Sequence, residues 1–280
     1  MTGVPRSGTT WLARLLAHAS NTALPGREPM NPHQGQFRLG GTISAWTRLS
    51  SPTVQQRRIL RRAYRGLDPR VYGRYGVRQW RAPLPWTRVI VKDPFALLSM
   101  EAIVGATGAL PVVVYRHPGA ILTSYRRMGW RPDIEELASV APEFGRLDDE
   151  GAADEVDRMG WFWTVCHRIA LEQLTRLPMA VVISHQELSL AAPPAVRTVF
   201  DACGLTWSNR VDEEIARWSE STAVAPGSRL HVMNRSPKEV EDSWRGRLAP
   251  EEVTRLDHLG SEVLAELESR RLPLSGTASH

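Results

Sequence analysis

A glycine turn that runs straight into a helix constrains this chain most. Gly3-Val4-Pro5-Arg6-Ser7-Gly8-Thr9-Thr10-Trp11 sets two glycines with four residues between them, directly before the apolar-periodic stretch Trp11, Leu12, Leu15 and Leu16. Backbone N–H groups at such a turn, backed by the positive end of a helix, form a cradle for phosphate-like anions. Downstream, Val89 to Val91, Val112 to Tyr115 and Ala180 to Ser184 are short, β-branched and apolar, as buried parallel strands are. Helices are expected after Pro118 and over about Arg158 to Leu177. This alternation predicts an α/β fold, a P-loop-like three-layer sandwich with a central parallel sheet of about five strands and helical insertions.

The loop departs from that of an ATP- or GTP-using enzyme. Such a loop continues Lys-Ser/Thr, the lysine for the β/γ-phosphates and the hydroxyl for Mg²⁺. Here Thr9 holds the lysine position, and the cation has moved into the loop as Arg6. A cradle that keeps its anion site and drops the lysine suits a donor with a shorter anionic chain and no metal, such as a phosphosulfate.

The chain has 280 residues and is 42% hydrophobic, enough for one large domain over residues 1–272 with a loose tail over 273–280. No window reaches the ~18 apolar residues of a membrane span, and no apolar signal region opens the chain. A soluble cytoplasmic protein is expected. Cys166 and Cys203 lack metal-ligand spacing and read as buried reduced thiols. The net charge of +5 is carried by arginine; Lys92 and Lys238 are the only lysines. In a chain this rich in arginine, a lysine marks a place where a compact point charge is useful.

Two stretches read as insertions around the sheet, either as solvated helical faces or as walls of an acceptor cleft. Residues 52–88 hold ten arginines and one acid, Asp68, with a helix that sets Leu60, Ala63, Tyr64 and Leu67 on one face. Residues 131–158 are the reverse, with ten acids and three arginines. The arginine stretch lacks aromatics placed for base stacking, so nucleic acid is not an expected partner.

The loop resembles the 5′-phosphosulfate loop of the sulfotransferases that use 3′-phosphoadenosine 5′-phosphosulfate (PAPS), where the bacterial, tyrosylprotein and carbohydrate members often carry arginine. The resemblance assigns Arg6, Ser7, Gly8, Thr9 and Thr10 to the 5′ end of the donor, with Arg6 also touching the transferred group. Val112-Val113-Val114-Tyr115-Arg116-His117-Pro118, with Ser124 eight residues after Arg116, is similar to the 3′-phosphate site of that family. Arg116 at a strand end can make a forked contact to phosphate, and Ser124 can add a hydroxyl. Arg235 to Leu248 is similar to the basic segment that closes over the nucleotide, with Arg247 the expected contact. His185-Gln186-Glu187-Leu188 resembles a further family segment and is given no role. The family's loop follows a strand of about five residues, whereas only Met1 and Thr2 precede Gly3. That strand is therefore either very short or cut by a start downstream of the natural one.

Sulfuryl transfer needs positioning, charge stabilisation and a base for the acceptor proton. The resemblance places Lys92 beside the transferred group, while the histidine that cytosolic members use is missing from Val91-Lys92-Asp93-Pro94-Phe95. Glu28, 22 residues past Arg6, matches the position of a glutamate base in tyrosylprotein sulfotransferases. Asp93 and His33 are further candidates, and His117 is read as structural. The expected activity is transfer from PAPS, without metal and with adenosine 3′,5′-bisphosphate (PAP) as product, to a hydroxyl or amine of a small-molecule, carbohydrate or lipid acceptor. A P-loop kinase and a non-catalytic nucleotide-binding protein are the alternatives.

Overall fold

Four consecutive apolar residues form the centre of the fold. The computed structural model describes residues 1–73, 77–145, 147, 154–220 and 243–274. In it Val112–Tyr115 is strand β3, buried along its whole length and paired in parallel with β4 (Val181–Ser184), Val112 opposite Val181 and Tyr115 opposite Ser184. Side chains of a strand alternate between its faces, and here the two faces belong to different cores. Val113, Tyr115 and Val182 pack into one core, and Val112, Val114, Val181 and Ile183 into the other.

The first core is closed by α5 (Pro118–Met128), α7 (Glu155–Leu174) and α11 (Pro250–Ser269), through Ile121, Phe162, Trp163, Ile169, Leu256 and Val263. The second is closed by α1 (Thr9–Leu16) and α9 (Ala192–Ala202), through Leu12, Leu15, Val196, Val199 and Phe200. Helices on both faces of parallel strands are the expected layering. Full burial of each such large apolar side chain contributes about 1.5–3 kcal/mol.

The sheet itself is smaller than the five strands expected. A second parallel pair joins β1 (Thr22–Ala23) to β2 (Arg88–Val89), so among the described residues two two-stranded sheets stand in place of one. Met1 and Thr2 lie between them. Thr2 N–H donates to Val112 O at 2.8 Å and Val114 N–H to Thr2 O at 2.9 Å. On the other side, the Met1 amine donates to Val91 O at 2.7 Å and Asp93 N–H to Met1 O at 2.9 Å. Thr2 thereby makes a single parallel bridge with Val113 of β3. Glycine is required at position 3: a Cβ there would lie 2.1 Å from Val114 O.

The outer elements refine the boundaries. The 158–177 helix begins earlier, at Glu155, because Asp154 caps it by accepting from Val156 and Asp157 N–H. The strand expected over 89–91 is β2, Arg88–Val89. Among residues 31–53 lies the short α2 (Arg38–Gly41). In the arginine-rich insertion α3 (Val54–Tyr64) is closed by a Thr53–Gln56 capping box and buries Leu60 and Ala63 as expected. Arg61 ties it to α4 (Met100–Thr107) by donating to Ala106 O at 2.9 Å. Leu67 corrects the expectation that it shares the apolar face. The helix ends before it, Gly66 turns the chain at φ 64, and Leu67 is 45% exposed.

In the acidic insertion α6 (Ile134–Val140) buries Ile134, Leu137 and Ala138; residues 146 and 148–153 lie outside the described residues. After β4 follow α8 (His185–Leu190) and, past α9, α10 (Asn209–Glu220). Near the end Leu272 N–H donates to Val182 O at 2.9 Å and Leu274 packs on the second core; of the expected loose tail, 275–280 lie outside the described residues. Both cysteines are free thiols in buried positions, and burial pushes both pKa values up. No helix among the described residues is long and apolar enough to cross a membrane.

Candidate active site

A cleft of about 1020 Å³ opens where the glycine loop, the end of β3, the start of α5 and the segment after β2 converge. The loop is held in shape by its own bonds. Ser7 Oγ donates to Val4 O at 2.7 Å and Ser7 N–H to the same oxygen at 3.0 Å. Ser7 is thus fully buried and turned into the loop, whereas Arg6, Gly8, Thr9 and Thr10 line the cleft. Arg6 sits at φ 77, a region that costs a non-glycine residue on the order of 1 kcal/mol or more. That backbone aims its side chain across the cleft. Thr9 and Thr10 open α1, so their N–H groups have no carbonyl a turn earlier to bond. Gly8 is needed for close approach: a Cβ there would lie 2.4 Å from the His185 ring.

The two anion motifs meet. Arg6 Nε donates to Ser124 Oγ at 2.9 Å, from the loop to α5. Burial, reinforced by the neighbouring Arg127, lowers the pKa of Arg6 from its ordinary value, and its guanidinium also lies 5.9 Å from the Trp130 ring centre. Arg116 follows β3, is 7% exposed and lines the same cleft, while its carbonyl accepts from Trp163 Nε1 at 2.8 Å. His117 caps α5 by accepting from Gly119 N–H at 3.1 Å, and it contacts Asp257 at 2.8 Å. Trp244 stacks on His117 with ring centres 4.5 Å apart and closes tightly over Gly119, where a Cβ would lie 2.3 Å from its ring. This anchors the segment that brings Arg247 to the cleft; residues 235–242 of it lie outside the described residues.

The third cluster lies around Glu28. Its Oε1 pairs with Lys92 Nζ, and its Oε2 accepts from Asn31 Nδ2. Glu28 and Asn31 are 7% and 6% exposed, and both line the cleft with Lys92. Asn31 also receives His33 N–H on its Oδ1 at 2.9 Å. Asp93 stands behind this group and is 1% exposed. Its two oxygens accept Met30 N–H and, at 3.0 Å, Phe95 N–H. It therefore tethers the Glu28 segment and offers no oxygen to the cleft. Burial, then the charge of Glu28, pushes the Asp93 carboxyl up to about 8, against the pull of Met30 N–H, Lys92 and Phe95 N–H.

Eight arginine or lysine side chains line the cleft against two carboxylates, Glu28 and Asp133. An anionic ligand of nucleotide size is what such a surface favours. Tyr72 and Gly73 from the arginine-rich insertion, and Arg131 and Asp133 from the acidic one, line it as well. Sequence reasoning missed Asn31, Trp130, Arg131 and the lining by His185. Among the described residues no cluster of three or more His, Cys, Asp or Glu side chains is placed to hold a metal ion. A family model described as "Sulfotransferase family" matches residues 1–209, which includes the loop, the Glu28 cluster and the end of β3. No curated protein matches the chain significantly.

Proposed function

The chain belongs to the sulfotransferase family, and we propose that it transfers a sulfuryl group from PAPS to a hydroxyl or amine of a small-molecule, carbohydrate or lipid acceptor. One observation carries this reading: the glycine loop, the Arg116–Ser124 motif and the Glu28–Lys92 pair, far apart in the chain, face one cation-lined cleft. The residues fit the donor. Gly8, Thr9 and Thr10 supply loop and helix N–H groups for the 5′-phosphosulfate, with Ser7 shaping the loop from inside. Arg116 and Ser124 take the 3′-phosphate, and Arg247 approaches from the covering segment.

The acceptor atom bonds to sulfur as the bond from sulfur to the 5′-phosphate oxygen breaks. PAP leaves, and the acceptor proton passes to a base. Of the two cleft carboxylates, Glu28 is the one paired with Lys92, and it is assigned that proton. Asn31 holds one of its oxygens and Lys92 the other, which fixes the direction of the carboxylate. Lys92 and Arg6 supply positive charge where the sulfuryl and bridging oxygens become more negative. Asp93 belongs to the support of this group and is not proposed as the base. The test is incubation with PAPS and pooled acceptors, followed by mass spectrometry. A product heavier by one sulfo group together with PAP release is expected; PAP release without acceptor dependence, or no turnover of any pool, counts against the reading.

A further inference from the structure

Four of the exposed apolar side chains of the described residues lie close together in one insertion and outside the cleft, while Val54, Trp130, Met179, Leu190 and Leu259 are exposed elsewhere. Leu67, Trp80, Leu84 and Trp86 are 45%, 61%, 36% and 64% exposed, and all four lie in the arginine-rich insertion. Gly66 presses on Ala82, where an added Cβ would stand 2.5 Å from the Ala82 Cβ, so Leu67 comes up beside the run that carries Trp80 and Leu84. That run is folded on itself: Leu84 N–H donates to Arg81 O at 3.0 Å and Thr87 N–H to Leu84 O at 2.9 Å. Trp80 rests on Tyr72 with ring centres 4.6 Å apart and planes at 24°, which supports one face of the indole and leaves the other outward.

The exposed charge of this insertion has one sign. Arg58, Arg62, Arg65 and Arg81 are exposed on the same insertion. Its single acid, Asp68, is buried and taken by Arg70 through two hydrogen bonds of 2.9 and 2.8 Å. The complement is therefore an anionic surface that also accepts apolar groups. Nucleic acid offers the charge, but it gives Leu67 and Leu84 nothing to stack on. A lipid surface uses every part of the patch: indoles at headgroup level, leucines at the acyl boundary and arginines on anionic headgroups.

We propose that this face docks on an anionic membrane surface. Tyr72, which carries Trp80, also lines the cleft, so a docked surface would lie beside the cleft wall formed by Tyr72 and Gly73. The proposal does not depend on the transfer chemistry and needs no donor for its test. The full chain is sedimented with vesicles of phosphatidylcholine alone, and with vesicles of equal parts phosphatidylcholine and phosphatidylglycerol. Binding to the mixed vesicles, weakened by salt and absent from the neutral ones, is expected. Trp80→Ala with Trp86→Ala, and separately Leu67→Gln with Leu84→Gln, should each lower partitioning about tenfold at unchanged melting temperature. If one double variant fails to fold, the other decides. No binding to anionic vesicles, undiminished binding in the folded variants, or release from vesicles by a single-stranded oligonucleotide at equal phosphate would overturn the proposal, the last in favour of nucleic acid.

Discussion

Arg6 and Ser124, 118 positions apart in the chain, share a hydrogen bond of 2.9 Å. The bond ties the loop that would hold the 5′ end of the donor to the helix that would hold its 3′-phosphate. PAP should therefore raise the melting temperature more than AMP does, since only PAP fills both ends. Each charge-assisted contact contributes about 1.5–3 kcal/mol, and ligand binding raises stability by mass action. In Ser124→Ala the margin between the two nucleotides should shrink. Equal shifts in the parent protein would dismiss the 3′-phosphate assignment.

Chelation separates the proposed chemistry from a kinase. Thr9 stands where a nucleotide loop keeps its lysine, and the cations of the cleft are side chains of the protein. Turnover with PAPS should persist in EDTA. A strict Mg²⁺ requirement, with ATP giving the larger thermal shift, would restore the kinase reading.

Glu28→Gln keeps the volume and removes the proton acceptor, at the cost of replacing one accepting oxygen by an amide donor. Turnover should fall by about 10²–10⁴ while PAP binding is retained. Asn31→Ala removes the partner of Glu28 Oε2 and should lower kcat by about 10–10² with donor affinity unchanged. Parent-like kcat in Glu28→Gln would remove it from the mechanism.

Asp93 makes a prediction about stability. Its carboxyl is raised in the folded chain to about 8, whereas the unfolded chain releases that proton near the usual carboxylate value of about 4. Between these values the folded state binds more protons than the unfolded one, so the contribution falls as pH rises through the window and changes no further above it. His167, buried and pushed down to about 4, bends the curve the opposite way below its ordinary value, so the comparison with a variant is the readout. Asp93→Asn cannot ionise. Its melting temperature should decline less than the parent's between about pH 6 and 8. Parallel curves would show that Asp93 does not titrate there.

Legibility followed distance along the chain. Val112–Tyr115 announces itself by four consecutive apolar residues and appears as written, and Arg116 and Ser124 are separated by one strand end and two helical turns. The Glu28 cluster is different. Asn31 lies three residues from Glu28 and was legible in principle, since a short polar side chain beside a buried carboxylate is a natural partner. The tether from Asp93 to Met30 spans 63 positions and leaves no periodic trace. The size of the sheet was overread because apolar runs show which residues want burial, whereas ladder length depends on how far neighbouring segments run side by side. Leu67 fell to a single glycine: helical spacing continued through it, but the chain had already turned at Gly66.

Glu28 holds its own counter-ion. With Lys92 on one carboxylate oxygen and Asn31 on the other, each oxygen already holds a donor, and a water molecule entering alone meets a neutralised pair. If this carboxylate is the base, it is masked until an anion draws the ammonium away, and the proposed donor would be such an anion. Arrival of the donor and release of the base then become one event, which ties reactivity to occupancy and leaves the acceptor, rather than water, to find the carboxylate open.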